Sequence, residues 1–393
     1  MSKPDQPRIL FDANSLMVSR TGVGYYTAQL VEHLARHHPD TQFVGYYYNF
    51  LGRKPRPSTP VGPNIRYRPI YHFPGPIINL LRRFRIEVPI ELLTFIRADF
   101  VLYPNFLSQP SLFPTPNATT VHDLTFVDLP EYVAPKNLKD LTRFVPSHIQ
   151  RANFVIIVSE FGKQRLHDAF GVPLDKILVT PIPPAAPYPP NSEAEQRLLK
   201  QLGIPGKYIL TLGTIEPRKN LPNMIDAYLQ LPEKLQKEYT FVVTGKIGWK
   251  CETEVARLAE VKAAGKNIMH LGYVSEDQRA ALFRHAELFT WASYYEGFGM
   301  PILEAMSYSA PCAISDIAVF REVAQDNALY FDQENPIAIA SAWQTLLTDP
   351  KAHQKYAVAG KKRADTYQWD TVAKSLYERI VATIAQHNTK RSS

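Results

Sequence analysis

Residues 294–311 read YYEGFGMPILEAMSYSAP, directly after the β-rich run LFTWAS. Two glycines and a proline interrupt the chain, with Glu296 before the break and Glu304 after it. Pro301 suits the start of a helix, where its missing amide hydrogen has no helical partner. The stretch therefore predicts strand, glycine turn and helix, with Glu304 at the end of the first helical turn. The amides of Gly297, Phe298, Gly299 and Met300, together with the helix's positive end, would bind an anion, and the glycines let its oxygens approach the backbone. A phosphate or diphosphate is the expected occupant, flanked by two carboxylates that can accept hydrogen bonds from sugar or ribose hydroxyls. Either glutamate alone reads better as a solvated or dipole-complementing residue. The pair around a glycine turn after a strand favours the ligand.

The same strand-then-helix rhythm runs through the chain. RILFDA, QFVGYYY, DFVLYP, ATTVHD and FVIIVS lie in the first half; YILTLG, TFVVTG, NIMHLG, LFTWAS, CAIS and ALYF lie in the second. Strand runs separated by helical patterns indicate βαβ units and parallel sheets, so the fold class is α/β with two doubly wound domains. With 393 residues, 45% of them hydrophobic, the chain exceeds one ordinary core and suits two. Between the halves lies PIPPAAPYPPN, whose prolines favour an extended path, which makes it the expected linker. The predicted domains are 1–185 and 191–368. A final helix over 369–388 carries Trp369, Val372, Leu376, Ile380 and Ile384 at helical spacing.

No apolar run approaches the ~20 residues needed to span a bilayer, and the polar start passes straight into a strand, so export and membrane spanning are not expected. The two cysteines, Cys251 and Cys312, lack zinc or redox spacing, which fits a reducing cytoplasm. The net charge of +7 points to acidic partners, but without a finger pattern, an RNA-binding aromatic motif or a long basic run, nucleic acid is not expected. No Asp-x-Asp pair occurs, and no His/Asp/Glu cluster shows metal-ligand spacing, so neither a metal nor another cofactor is predicted.

The motifs in order resemble a known family. RTGVGYYTAQL, VHDLTF, SEFGK, GTIEPRKNLPNMIDAY and GYVSEDQRAALFRHAELFTWASYYEGFGMPILEAM match the retaining nucleotide-sugar glycosyltransferases of family four, including their signature of two glutamates separated by seven residues. The resemblance covers nearly the whole chain. It implies a GT-B fold, two Rossmann-like domains facing across a deep cleft, with the nucleotide sugar held mainly by the second and the last helix crossing back to the first. It also implies that Glu296 binds the transferred sugar and Glu304 the nucleotide's ribose.

Around that site, Arg218 and Lys219 follow a strand and could neutralise a departing diphosphate, although a solvated basic turn reads similarly. Thr214 stands where many relatives carry an arginine. Lys246, after Gly245, could reach the phosphates or simply face water. In the first domain the resemblance gives Gly22 and Gly24 a place beside the diphosphate, His122 a place against the transferred sugar with its proton role open, and Asp123 a place orienting His122 or the acceptor. Ser315 and Asp316 are expected to cap the helix that follows them. The segment with Arg82, Arg83 and Arg85 among Leu, Ile and Phe reads either as an amphipathic helix packed on the first domain or as a peripheral contact with an anionic membrane.

The expected function is transfer of a hexose from a nucleotide sugar to a polysaccharide, oligosaccharide or lipid-linked acceptor such as O-antigen, in the cytoplasm or at the inner face of its membrane. GDP-mannose is the first choice of donor and a UDP-sugar the second. A sugar-nucleotide epimerase on the same fold and a non-catalytic sugar-nucleotide-binding partner are the competing classes.

Overall fold

The computed structural model describes residues 7–17, 22–57, 59–84 and 86–392; Arg85 and the side chain of Arg83 lie outside the described residues. The chain forms two compact units, one of residues 1–124, 139–182 and 368–393, the other of 125–138 and 183–367.

The first unit is built on a parallel sheet of β1 (Arg8–Asp12), β2 (Gln42–Tyr48), β3 (Ile65–Ile70), β4 (Phe100–Tyr103), β5 (Asn117–Val121), β6 (Phe154–Ile157) and β7 (Ile177–Val179), in the order 3-2-1-4-5-6-7. The second has β8 (Tyr208–Leu212), β9 (Thr240–Thr244), β10 (Ile268–His270), β11 (Leu288–Trp291), β12 (Cys312–Ser315) and β13 (Leu329–Phe331), in the order 10-9-8-11-12-13. Central strands such as FVLY, FVII and LFTW are buried at every position, because helices cover both sheet faces and no alternate position meets water. In each sheet the order reverses beside the first strand, between β1 and β4 and between β8 and β11. That reversal is where a doubly wound sheet opens a crevice for ligands.

All eleven strands expected from the sequence form. Two more, β3 and β7, are edge strands. β3 reads IRYRPI, with arginines and a proline that mask its periodicity, and β7 is only three residues long.

Residues 125–138 group with the second unit, although the sequence predicts an unbroken first domain. Trp249 Nε1 donates to Tyr132 O at 2.7 Å, Lys250 Nζ donates to Glu131 O at 2.7 Å, and the Tyr132 and Tyr294 rings stack at 5.8 Å. The final helix, Trp369–Ser392, belongs to the first unit and packs on helix Gly22–His37, burying Trp369, Val372, Leu376 and Ile380.

One local expectation fails, and of the two readings open for the arginine segment the packed helix is the one that Arg82 fits. Arg82 is buried, 7% exposed, on helix Gly75–Arg83. It is therefore not a membrane-facing cation. Ser315 lies within β12 and donates to Trp291 O at 3.3 Å, while Asp316 pairs with Arg321 at 2.7 Å. The helix Ala318–Ala324 begins after Ile317 without a side-chain cap.

A half-buried network around Glu87 braces the first unit. The Ser108 amide donates to His148 Nδ1 at 2.9 Å, which fixes His148 Nε2 as the donor to Glu87 at 3.0 Å, and Arg151 pairs with the same carboxylate. Burial pushes the Glu87 carboxyl up, but the bonds from His148 and Arg151 outweigh it and hold it at about 2. Glu87→Gln should therefore cost about 1–3 kcal/mol near neutral pH. A depressed folded pKa gives stability that is complete above the ordinary carboxylate range and lost as pH falls toward about 2. The gap between wild type and variant in urea denaturation should accordingly narrow below about pH 4.5, and a gap constant down to pH 3 would contradict this account.

Candidate functional site

At the switch point of the second sheet, the chain leaving β8 turns through Gly213 and Thr214 into Glu216, Arg218 and Lys219. The chain leaving β11 runs through Ser293 to Glu296. Arg218 joins the two loops. Its Nη2 lies 2.7 Å from Glu216 Oε1, its Nη1 lies 2.7 Å from Glu296 Oε2, and it also donates to Tyr295 O. Lys219 Nζ lies 3.6 Å from Glu216 Oε1 and 4.9 Å from the centroid of the Trp291 ring. Ser293 Oγ donates to Glu296 Oε1 at 2.9 Å, and Trp291 Nε1 reaches the same oxygen at 3.2 Å.

The electrostatics follow from this packing. Burial pushes the Glu296 carboxyl up, but Arg218 and Lys219 outweigh it and leave the pKa lowered, so the group is a carboxylate. Burial lowers the Lys219 pKa, opposed by Glu296 and Glu216. Two cations and two carboxylates thus share one partly dry volume.

The turn after Glu296 forms as its residues require. Gly299, with φ of 113°, is in the left-handed region at the N-cap of helix Met300–Ser307, and Pro301 occupies its first turn. The Phe298 side chain is buried, edge-on to Tyr367 at 5.8 Å, so any ligand contact from Phe298 falls to its backbone. Glu304 is buried one turn into the helix and pairs with Arg279 at 3.1 Å. Its burial raises its pKa more than Arg279 lowers it. The two glutamates of the opening motif therefore have separate partners: Glu296 belongs to the Arg218 cluster and Glu304 to Arg279 on helix Glu276–Arg284.

Thr214 is exposed, as is Lys246, whose Nζ sits 4.8 Å from the Tyr273 ring centroid. The loops bearing them are knitted together: Ile215 N donates to Lys246 O at 2.8 Å, and Gly248 N donates to Ile215 O at 2.9 Å. Gly245, with φ of 140°, is irreplaceable here, since a Cβ would lie 1.8 Å from Gly213 O.

In the first unit, His122 follows β5 at the carboxyl edge of the sheet. Its Nε2 lies 2.9 Å from Pro104 O, which can only accept, so Nε2 carries the proton. Tyr26 and Phe106 meet the ring edge-on at 5.1 and 5.7 Å. Burial lowers its pKa, against the Pro104 carbonyl and Asp123, so the imidazole is neutral at neutral pH. Asp123 is half-buried beside it. Gly22 and Gly24 are the first and third residues of helix Gly22–His37.

Sequence reasoning missed Glu216, Arg279, Trp291 and Ser293. Glu216 sits in the same EPRK run as Arg218, so its two-residue spacing was a signal. Arg279 had none, because only the packing of two helices brings it to Glu304.

Residues 20–183 match the family model described as glycosyltransferase family 4, and residues 195–363 the one described as glycosyl transferases group 1. The chain is a family 4, group 1 glycosyltransferase. This glycosyltransferase is 28% identical over 377 residues to the O-antigen chain mannosyltransferase B of Escherichia coli, a match spanning 92% of this chain and 96% of that protein. It is also 28% identical over 189 residues to the phosphatidyl-myo-inositol mannosyltransferase of Mycobacterium leprae, covering 47% of this chain and 49% of that one. Among solved structures, HepE of Anabaena in complex with UDP and glucose superposes with a TM-score of 0.69 at 17% identity, covering 95% of this chain and 99% of that one. WaaG, a glycosyltransferase involved in lipopolysaccharide biosynthesis, gives 0.68 at 13% identity, covering 95% and 99%. The fold of the glycosyltransferase is GT-B.

The loop crossing at Gly245 gives a direct check. Gly265→Ala places a Cβ in open space at φ of +65° and should cost about 1 kcal/mol of left-handed strain. Gly245→Ala must move the Gly213 carbonyl and should cost at least about 3 kcal/mol. Equal losses for the two variants in denaturant titration would show that the loops are not packed as described.

Proposed function

We propose that this glycosyltransferase moves a hexose, with retention of anomeric configuration, from a nucleotide sugar to a growing surface glycan or lipid-linked oligosaccharide. The observation that carries the reading is the Glu216–Arg218–Glu296 bridge at the sheet's switch point, with Lys219 beside it and an amide-rich turn leading into a helix. Breaking the anomeric bond builds negative charge on the departing diphosphate and positive charge on the sugar. Arg218, Lys219 and the amides of residues 297–300 would stabilise the former, and such preorganised donors are worth most in a dry site.

Glu296, held ionised, would accept hydrogen bonds from hydroxyls of the transferred sugar, and Glu304 from the nucleotide's ribose. Neither is assigned as a covalent nucleophile. The leaving phosphate would take the acceptor's proton as the acceptor attacks the same face. His122, neutral and committed through Nε2 to Pro104, is suited to packing against the sugar rather than to donating a proton, with Asp123 positioning the acceptor. The chain lacks an Asp-x-Asp pair and supplies its own cations, so transfer is read as independent of metal.

GDP-mannose is the first choice of donor, because the similar proteins include mannosyltransferases. A UDP-sugar is the second, since UDP occupies the similar HepE structure. Work at the cytoplasmic face of a membrane fits exposed Ile77, Leu80 and Phe84 along helix Gly75–Arg83 and just beyond it. Such a contact would include these apolar side chains, and Arg82, being buried, would add no charge to it. Phe84→Ser should then reduce co-sedimentation with anionic vesicles, and undiminished sedimentation would remove the membrane from the reading.

The test of the chemistry is a transfer assay with GDP-mannose and UDP-sugars in the presence and absence of EDTA. Turnover should survive EDTA, and the product should keep the donor's anomeric configuration by NMR. Glu296→Gln and Arg218→Ala should each lower kcat by about 10²–10³, while Glu304→Gln should act mainly on the donor's KM. Wild-type turnover in Glu296→Gln would refute the site, and isomerised donor formed without acceptor would point to an epimerase.

A further inference from the structure

Helix Gly22–His37 presents His33 and His37 on successive turns of one face, the spacing at which two imidazoles can share a ligand. The final helix brings Asp370, its second residue, to the same face. Asp370 Oδ1 lies 2.7 Å from His33 Nδ1 and 2.8 Å from His37 Nε2, and the three ligand atoms all lie within 4.8 Å of one another. None of these residues has a part in the transfer chemistry. The sequence search for metal spacing overlooked the trio because Asp370 follows His33 by 337 residues, leaving only an isolated His-x-x-x-His.

We propose that His33, His37 and Asp370 form a surface site for a divalent transition metal of the zinc class, clamping the start of the final helix to helix Gly22–His37. Two imidazoles and a carboxylate suit such dications, and three protein ligands leave a fourth position for water. Metal–ligand bonds of about 2.0–2.1 Å in a tetrahedron set the ligand atoms about 3.3 Å apart. The pairs at 2.7 and 2.8 Å must therefore open by about half an ångström. The side chains of His37 and Asp370, 40% and 60% exposed, are free to make that adjustment. His33 is only 15% exposed, and its ring stacks on Trp369 at 6.1 Å and 25°, so one ligand is already oriented. An ion bound here would favour the docked final helix by mass action, because the unfolded chain does not assemble the trio.

Without metal the same three groups can hold together as hydrogen bonds, each imidazole donating one N–H to Oδ1, so the experiment must separate the two states. The full chain, carrying no histidine tag and treated with chelator, is titrated with Zn2+ by calorimetry and with Co2+ by visible absorption, alongside a thermal melt. The expected result is a single tight equivalent, tetrahedral Co2+ bands and a melting temperature that rises with Zn2+. His37→Ala and Asp370→Asn, both at exposed positions, should each weaken binding at least about tenfold and abolish the metal-dependent shift in melting. Absence of uptake by the wild type, or uptake unchanged in both variants, would overturn the proposal. Neither readout depends on sugar transfer, so the result stands apart from the fate of the functional reading.

Discussion

Arg218 held between Glu216 and Glu296 is the interaction on which the second unit's site depends. One guanidinium ties the loop leaving β8 to the loop leaving β11, the two strands between which the sheet order reverses. A buried ion cluster is a poor way to gain stability, since removing four charges from water costs as much as their attraction returns. Apolar residues would close the same gap at lower cost. Charge of this kind suits a site that takes an anionic ligand, and a planar guanidinium presents its donors in a fixed fork.

The strand pattern was legible because parallel strands covered on both faces leave long apolar runs, and only β3 and β7, at or near sheet edges, escaped notice. The glycine turn and helix at 297–307 were equally readable, since Gly299 and Pro301 each satisfy a backbone requirement that few residues can. Partners distant in sequence were hidden. Arg279 reaches Glu304 only through the packing of their two helices, and the His33, His37 and Asp370 trio forms only when the last helix returns to the first unit. Arg82 was ambiguous for a different reason: in an amphipathic pattern an arginine among Leu and Ile looks exposed, whereas here it is buried on the first unit. The assignment of 125–138 to the second unit also had no local signature, because it rests on Trp249, Lys250 and Tyr294.

The two units hold their candidate residues by different physics. In the second, full charges are balanced against one another. In the first, His122 is kept neutral by burial and oriented by one backbone carbonyl and two aromatic edges. A cation there would favour water or a carboxylate over a sugar ring. In the proposed transfer, a neutral imidazole with its Nε2 proton committed would add no positive charge beside a carbon that gains it.

Glu296 and Glu304 sharpen the distinction between an acid–base pair and two binding groups. Their environments drive their pKa values in opposite directions, lowered for Glu296 and raised for Glu304, and in a cleft such divergence ordinarily marks a base and an acid. That inference requires the two groups to act on one reacting centre. Here each has its own cations, Arg218 and Lys219 for one and Arg279 for the other, and helix Met300–Ser307 carries only Glu304. The raised pKa of Glu304 follows from burial beside a single arginine that is itself partly exposed, with Glu276 adding repulsion. A hydroxyl donating to Glu304 would add a hydrogen bond that favours its ionised form, which a ribose could offer and a proton transfer does not need.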